Sequence, residues 1–365
     1  MDYYIFGAKA TAAGLYKALL KKEPEDKMKA FLVSDTKENA DEIFGIPVKA
    51  LSEEAALLSD EEKQKIKIYA AVPELIHPDI KELLQSNGFK NPIMLDSKME
   101  ADLMEKYFES EGKFRSVRSL ELKNKKEEIP NITFYAASFY KDKPLNNPPK
   151  FPDYIKRLYL GCDGAVKNGI DIKGQADFYD NEGDNISEKN PNRCEMTAHY
   201  WVWKNRLNTD DDYVGICHYR RLLDLSDDDL RKIKENEVDA VLPFPMIHYP
   251  NAEIQHSWYV KEKDWNILKQ VVQKLYPDYG RVFDKVFKAH EFYNYNMLLA
   301  KKSVFADYCA WLYPILDRIE EISEPKGADR HDRYTAYMSE SLTTLYFMAN
   351  LNDLKIYHTG RLLFR

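Results

Sequence analysis

Short apolar runs punctuate the first hundred residues. Tyr3-Tyr4-Ile5-Phe6, Ala30-Phe31-Leu32-Val33, residues 66–72 and Pro92-Ile93-Met94-Leu95 each have the length of a buried strand, and a helical run, 15–22, separates the first two. Unbroken apolar runs of this length fit strands covered on both faces. Strands alternating with helices indicate a parallel, Rossmann-like sheet, expected here over 1–98. Mixed charge then takes over, with Lys123-Asn124-Lys125-Lys126-Glu127-Glu128 near its end. Residues 99–130 are therefore expected to form a charged linker or an exposed helical connection. Beyond it, strands are expected at 132–138, 155–162, 213–217, 239–243 and 355–358, and helices at 265–275, 303–319 and 339–350. That order predicts a mixed α/β domain over 131–365.

The densest chemistry runs from Gly183 to Arg221, reading GDNISEKNPNRCEMTAHYWVWKNRLNTDDDYVGICHYRR. Asn190 is read as a helix N-cap, with Pro191 in the first helical position. Met196, Tyr200 and Trp203 fall on one helical face, and Glu195 beside that stripe is expected to pair with Arg220 or Arg221. The strand 213–217 then delivers His218-Tyr219-Arg220-Arg221 at its carboxyl end, where open α/β sheets bind ligands. Two arginines and a histidine suit an anion, a diphosphate first. The plainer alternative pairs the arginines with Asp224 and Asp227 and leaves His218 as a satisfied core residue. Asp184, Asn185 and Ser187 crowd further polar groups into the segment feeding the strand.

Composition narrows the classes. A chain of 365 residues suggests two domains, and 44% hydrophobic residues suffice for real cores. The net charge of −7 argues against a general nucleic-acid binder. Cys162, Cys194, Cys217 and Cys309 lie far apart without metal-ligand spacing, which predicts reduced thiols in a cytosolic protein. The start, MDYYIFGAKA, has no basic region before an apolar core, so no signal peptide is expected. No apolar run approaches the ~20 residues of a membrane helix. A cytoplasmic protein is expected, with peripheral association at the inner face of the cell membrane left open.

The first strand leads into Gly7-Ala8-Lys9-Ala10-Thr11-Ala12-Ala13-Gly14. A dinucleotide fingerprint wants G-x-G-x-x-G here, and Lys9 stands where the second glycine would let a pyrophosphate approach the backbone. Gly7 and Gly14 would be the cofactor-binding glycines of an NAD-type oxidoreductase unit, with Asp35 placed for a ribose hydroxyl. The competing reading makes Asp35 a turn residue.

On IFGAKATAAGLYKAL, FLVSDTKENADEIFGIPV and AAVPELIHPDIKELLQSNGFKNPIML, the first module resembles the small Rossmann-like N-terminal domains of bacterial sugar-modifying proteins. The sugar-nucleotide-binding domain of sialic-acid-type acyltransferases is among them. The resemblance leaves open a binding module, a docking surface or a remnant.

The second domain resembles a GT-A-like, domain-of-unknown-function family of bacterial glycosyltransferase-like proteins from capsular and other surface polysaccharide loci. The resemblance rests on GDNISEKNPNRCEMTAHYWVWKN, YVGICHYRR, DAVLPFP, NYNMLLAKKSVFADYCAWLYPIL and RYTAYMSESLTTLYF. It implies transfer of a hexose from a nucleotide-sugar donor, a UDP-sugar first, to a lipid-linked or oligosaccharide acceptor. The alternative is a non-catalytic sugar-nucleotide-binding or scaffold protein of the same pathway. In the transferase reading Arg220 and Arg221, with His218, neutralise the departing nucleoside diphosphate. Asp184 and Asn185 orient the donor. Arg333 reaches the phosphates or pairs with Glu340. The base is expected at Glu340, near the start of the helix 339–350, then at Glu291 in HEFYNYNM, with His331 and Asp332 competing. An acidic residue in a first helical turn is also explained by the helix dipole alone. Typical GT-A enzymes hold a divalent metal with Asp-x-Asp at a strand end, where this chain has His218-Tyr219-Arg220. The runs Asp210-Asp211-Asp212 and Asp227-Asp228-Asp229 are better explained as caps or solvated turns. Manganese or magnesium stays open, with a histidine and Asp184 as its candidate ligands.

Overall fold

A computed structural model gives the fold and describes residues 2–124, 128–324 and 332–365. The chain divides into two compact units. The first comprises Met1–Lys113, Phe244–Ile254 and His290–Phe292, and the second Phe114–Pro243, Gln255–Ala289 and Tyr293–Arg365.

The first unit carries β1 (Asp2–Phe6), β2 (Lys27–Val33), β3 (Glu42–Ile43), β4 (Ile46–Ala50), β5 (Lys67–Ala70) and β6 (Ile93–Met94) in one sheet, ordered β3-β4-β2-β1-β5-β6. All pairs but the β3–β4 hairpin are parallel. Tyr4, Ile5, Phe6, Phe31 and Leu32 are buried, as strands covered on both faces require. The hairpin turns on Phe44 and Gly45, both at positive φ, a turn geometry that Phe-Gly does not advertise in sequence. Gly7 (φ +124) is needed for close approach, since a Cβ there would lie 2.5 Å from the Ala71 carbonyl oxygen. Much of the expected linker is a helix of this unit, Ser97–Ser110, capped by the Asp96 carboxylate and burying Ala101, Met104 and Phe108. Its buried positions recur at helical spacing, but surrounding charge conceals them. A ribbon of β13 (Met246–Ile247) and β14 (Glu291–Phe292) also folds with this unit.

The second unit is a mixed sheet of β7 (Ile132–Phe139), β8 (Ile155–Leu160), β9 (Phe178–Tyr179), β10 (Tyr213–His218), β12 (Ala240–Pro243), β15 (Leu298–Lys301) and β16 (Ile356–Thr359), ordered β16-β12-β15-β10-β7-β8-β9. β10 is central: it runs parallel to β7 and antiparallel to β15, with Val214, Ile216 and Cys217 buried. Gly215 is packed against Phe134, whose Cδ1 would lie 2.2 Å from an added Cβ. A short β11 (Arg221–Leu223) doubles back on β10 and pairs with β17 (Arg361–Leu363).

Two helix boundaries differ from expectation, and both shape the site. Asn190 is not the N-cap. It lies inside a single turn, Asn190–Arg193, and its amide donates to the Cys194 carbonyl (3.0 Å) and the Thr197 hydroxyl (3.1 Å). Cys194 then takes a left-handed φ of 47°, and a second helix runs Met196–Asn205. Glu195 therefore stands in a break between helices. The break is anchored by Asp180, fully buried, whose carboxylate accepts from the Gly161 and Cys162 amides and the Ser187 and Thr197 hydroxyls. Buried Arg193 adds ion pairs to Asp317 (2.6 Å) and Glu320 (2.7 Å) on the helix Lys302–Ile322. The last helix starts at Tyr334, not Ser339, and ends at Ala349. Glu340 thus sits in its second turn, beyond reach of the four free amides at the N-terminus.

Candidate active site

The HYRR segment is a tight reversal in which His218 pairs with Arg221 across the β10–β11 turn. The carboxylates expected to neutralise its arginines are engaged elsewhere. Asp224 pairs with Arg118 at 2.6 Å, and Asp227 lies in the first turn of the helix Asp227–Glu235. The Arg220 and Arg221 guanidiniums make no hydrogen bond or ion pair with another described residue. Arg220 lies over the Tyr219 ring at 5.8 Å, and Arg221 over the Tyr295 ring at 4.5 Å. Burial, with Arg220 and Arg361 nearby, holds the Arg221 guanidinium below its ordinary range. Arg221 is half-buried, and the Glu195 and Asp142 carboxylates compensate it only at a distance, without a hydrogen bond, so a bound anion would be favoured beside it.

Facing these arginines are two consecutive residues in left-handed conformations, Tyr295 (φ 75°) and Asn296 (φ 49°). Such strain persists only where surroundings fix it, and it gathers at functional sites. Buried His199 and half-buried His218 do the fixing. His218 Nε2 donates to the Tyr295 carbonyl at 2.8 Å, and His199 Nε2 to the Asn296 carbonyl at 2.9 Å. Burial pushes their pKa values down to about 3 and about 4. Both are neutral at physiological pH, so His218 braces the site and contributes no cationic charge to an anion.

Two carboxylates meet at this bracket. The Tyr295 amide donates to Glu340 Oε1 at 2.8 Å, and the Asn296 side-chain amide to Glu195 Oε1 at 2.8 Å. Both glutamates are enclosed by protein on nearly every side yet keep an accessible edge. Burial raises the Glu195 pKa, opposed by Asn296, Arg221 and Arg333. Burial and then the Glu195 charge push Glu340 up to about 8. Glu195 was expected to pair directly with Arg220 or Arg221. Its hydrogen-bond partner is instead Asn296, with Arg221 acting as a nearby charge.

The other expected site residues fall as follows. Exposed Arg333 precedes the helix Tyr334–Ala349, with its charge near the Cys194 thiol next to Glu195. Asp184 accepts from the Tyr200 hydroxyl and exchanges bonds with Asn205, while Asn185 closes its own turn through Gly183 and Ser187. Their bonds are local and do not reach the arginines. Glu291 folds with the first unit, where its carboxylate lies 3.8 Å from the Lys113 ammonium. The Asp332 carbonyl accepts from Asn192, and His331 lies outside the described residues. In the first unit Asp35 caps its own turn through the Lys37 amide, and Gly14 packs on Met104. Sequence reasoning gave no role to Tyr295 or Asn296, although a polar Asn-Tyr-Asn run before an apolar strand is a turn signal.

Among the described residues no group of three or more His, Cys, Asp and Glu side chains is placed to hold a metal. The acidic runs brace and cap: Asp211 accepts from Thr133 and Thr209, Asp212 from the Asn131 amide, and Asp229 completes a capping box with Ser226. No described helix is long and apolar enough to cross a membrane.

The family described as "Domain of unknown function (DUF4422)" matches residues 153–351, more than half of the chain. The chain belongs to this family. The DUF4422 region holds HYRR, the helix break at Glu195, the Tyr295–Asn296 bracket and Glu340. A solved structure, the WbbM bifunctional glycosyltransferase in its apo form, is similar at 26% identity with a TM-score of 0.53. The similarity covers 64% of this chain and 45% of that one, so the match spans less than half of that protein's length. A search of curated proteins gives no match. The architecture is thus a Rossmann-like unit and a GT-A-like mixed α/β unit of a glycosyltransferase-like family.

Proposed function

We propose that the second unit transfers a hexosyl group from a nucleoside-diphosphate sugar, a UDP-sugar first, to a hydroxyl of a glycan or lipid-linked acceptor in surface polysaccharide assembly. The observation that carries this reading is the Arg221 guanidinium, without a hydrogen-bonded carboxylate among the described residues, close to a half-buried carboxyl, Glu340, beyond the carboxyl end of β10. Arg220 and Arg221 take the diphosphate, and Glu340 takes the acceptor proton. In a single displacement, the acceptor oxygen forms a bond to the anomeric carbon while the bond to the diphosphate oxygen breaks. The electron pair leaves with the nucleoside diphosphate, whose charge meets the arginines. The acceptor proton passes to the Glu340 carboxylate. The structural similarity to a bifunctional glycosyltransferase, at 26% identity, supports the reaction class.

Calorimetry with UDP, GDP, CMP and their sugars, with and without manganese, tests the donor site. Micromolar binding of one nucleotide, weakened by Arg220→Ala, is expected. Absence of binding in every condition would refute the reading. Binding without turnover would move it to a non-catalytic sugar-nucleotide-binding protein.

A further inference from the structure

We propose that Glu195 is a positioning residue for Glu340: the two carboxyls form one electrostatically coupled pair, braced by Tyr295 and Asn296, in which Glu195 stays charged and Glu340 carries the proton. This deepens the transferase reading, because it fixes the state of the proposed base.

The geometry starts with the bracket. Donors on two consecutive residues, the Tyr295 backbone amide and the Asn296 side-chain amide, address the two carboxyls, so both groups gather on one short stretch of chain. Each half is held in turn. Asn296 Nδ2 also reaches the Ser339 hydroxyl (2.9 Å), its Oδ1 accepts from Thr343 (2.9 Å), and the two histidines hold the bracket's carbonyls. On the opposite wall, the left-handed Cys194 swings Glu195 out of helical register towards Asn296. A residue that merely ended a helix would need none of this strain.

The groups facing the pair allot the charge. Glu195 receives the Asn296 amide and its own backbone N–H, with the Arg221 and Arg333 charges close by. Glu340 receives the Tyr295 N–H, the Gln255 side chain and a share of Arg221, and it faces the Glu195 charge. Among the described residues, the other polar groups bonded around the pair are uncharged. Ser339 donates to the Ala336 carbonyl, the Tyr308 hydroxyl is engaged with Thr343, both histidines are neutral, and burial keeps the Cys194 thiol protonated. Two adjacent carboxyls in one enclosed site do not both ionise easily, and the better-compensated one keeps the charge. Glu195 thereby sets the pH range in which Glu340 accepts a proton.

Infrared difference spectroscopy on the unliganded full chain tests this without turnover. Wild type should show a carboxylic C=O band at neutral pH that disappears as pH rises through about 8, and Glu340→Gln should lack it. In Glu195→Gln the band should titrate about one pH unit lower or more, because a neighbouring charge is gone. Glu195→Asp, which keeps the charge, should move it back towards wild type. In a turnover assay the acid limb of kcat/KM should shift in step. A band that persists in Glu340→Gln, or that titrates in Glu195→Gln as in wild type, overturns the pairing. Should Glu195→Gln fail to fold, Glu195→Ala, which also removes the charge, carries the same comparison. Failure to find any donor substrate refutes the transferase reading alone, since the band needs no substrate.

Discussion

Replacing Glu340 with glutamine should stabilise the second unit, increasingly so as the pH rises. The sign follows from linkage. The folded carboxyl has its pKa raised from 4.5 to about 8, so its proton-linked stability is full below the unfolded value and is lost as pH rises through the folded one. Glutamine keeps an acceptor for the Tyr295 amide and has nothing to ionise. At 1.36 kcal/mol per pKa unit, the variant's gain from this term is about 1 kcal/mol at pH 5, about 3 at pH 7 and about 5 at pH 9. Lost contacts of the native carboxyl add an offset that does not vary with pH, so the slope is the quantity to read. All five tryptophans, Trp201, Trp203, Trp258, Trp265 and Trp311, lie in the second unit. Urea unfolding followed by tryptophan fluorescence at the three pH values therefore reports on that unit. A gain that is flat from pH 5 to pH 9, or that shrinks, would show that Glu340 titrates normally and would refute the buried-acid account.

Arg220→Ala and Arg221→Gln should each weaken nucleotide diphosphate binding tenfold or more, with a smaller salt dependence than wild type, because each removes a cation in contact with the anion. Isothermal calorimetry at two ionic strengths checks this, and unchanged affinity in both variants would contradict it. Gly215→Ala should destabilise the second unit by about 1–3 kcal/mol, since its Cβ would meet the Phe134 ring at 2.2 Å in the middle of the sheet. Urea unfolding reads that loss directly, and a neutral result would contradict the packing argument.

Much of the fold was legible because buried strands advertise themselves. Ala30-Phe31-Leu32-Val33 and Val214-Gly215-Ile216-Cys217 have no other comfortable place than inside a sheet. The arginine pair was legible for a similar reason, as charge delivered at a strand end. The helix Ser97–Ser110 was obscured because Ala101, Met104 and Phe108 are its only buried positions in a charged run. The pairing of Glu195 with Glu340 was not legible at all. It depends on Cys194 and Tyr295 adopting positive-φ backbone that their residue types do not favour and that only tertiary packing imposes, with Asn296, which tolerates it, following Tyr295. Residues 145 positions apart meet through hydrogen bonds from a third segment, which no local pattern records. The helix that carries Glu340 begins at Tyr334 rather than Ser339, a local boundary that the sequence placed too late.

The most direct test of the account is a product assay with the nucleotide sugar that binds tightest, run from pH 6 to pH 9 with and without manganese on wild type and Glu340→Gln. Release of nucleoside diphosphate coupled to glycosylation of an added acceptor is predicted for wild type. Its kcat/KM should fall about tenfold per pH unit below about 8, because only the Glu340 carboxylate accepts the proton. The glutamine variant should bind the donor as wild type does and turn over at least a hundredfold more slowly, in line with the 10²–10⁴-fold typical of a general base. Equal turnover by wild type and Glu340→Gln would contradict the claim that this half-buried carboxyl takes the acceptor proton.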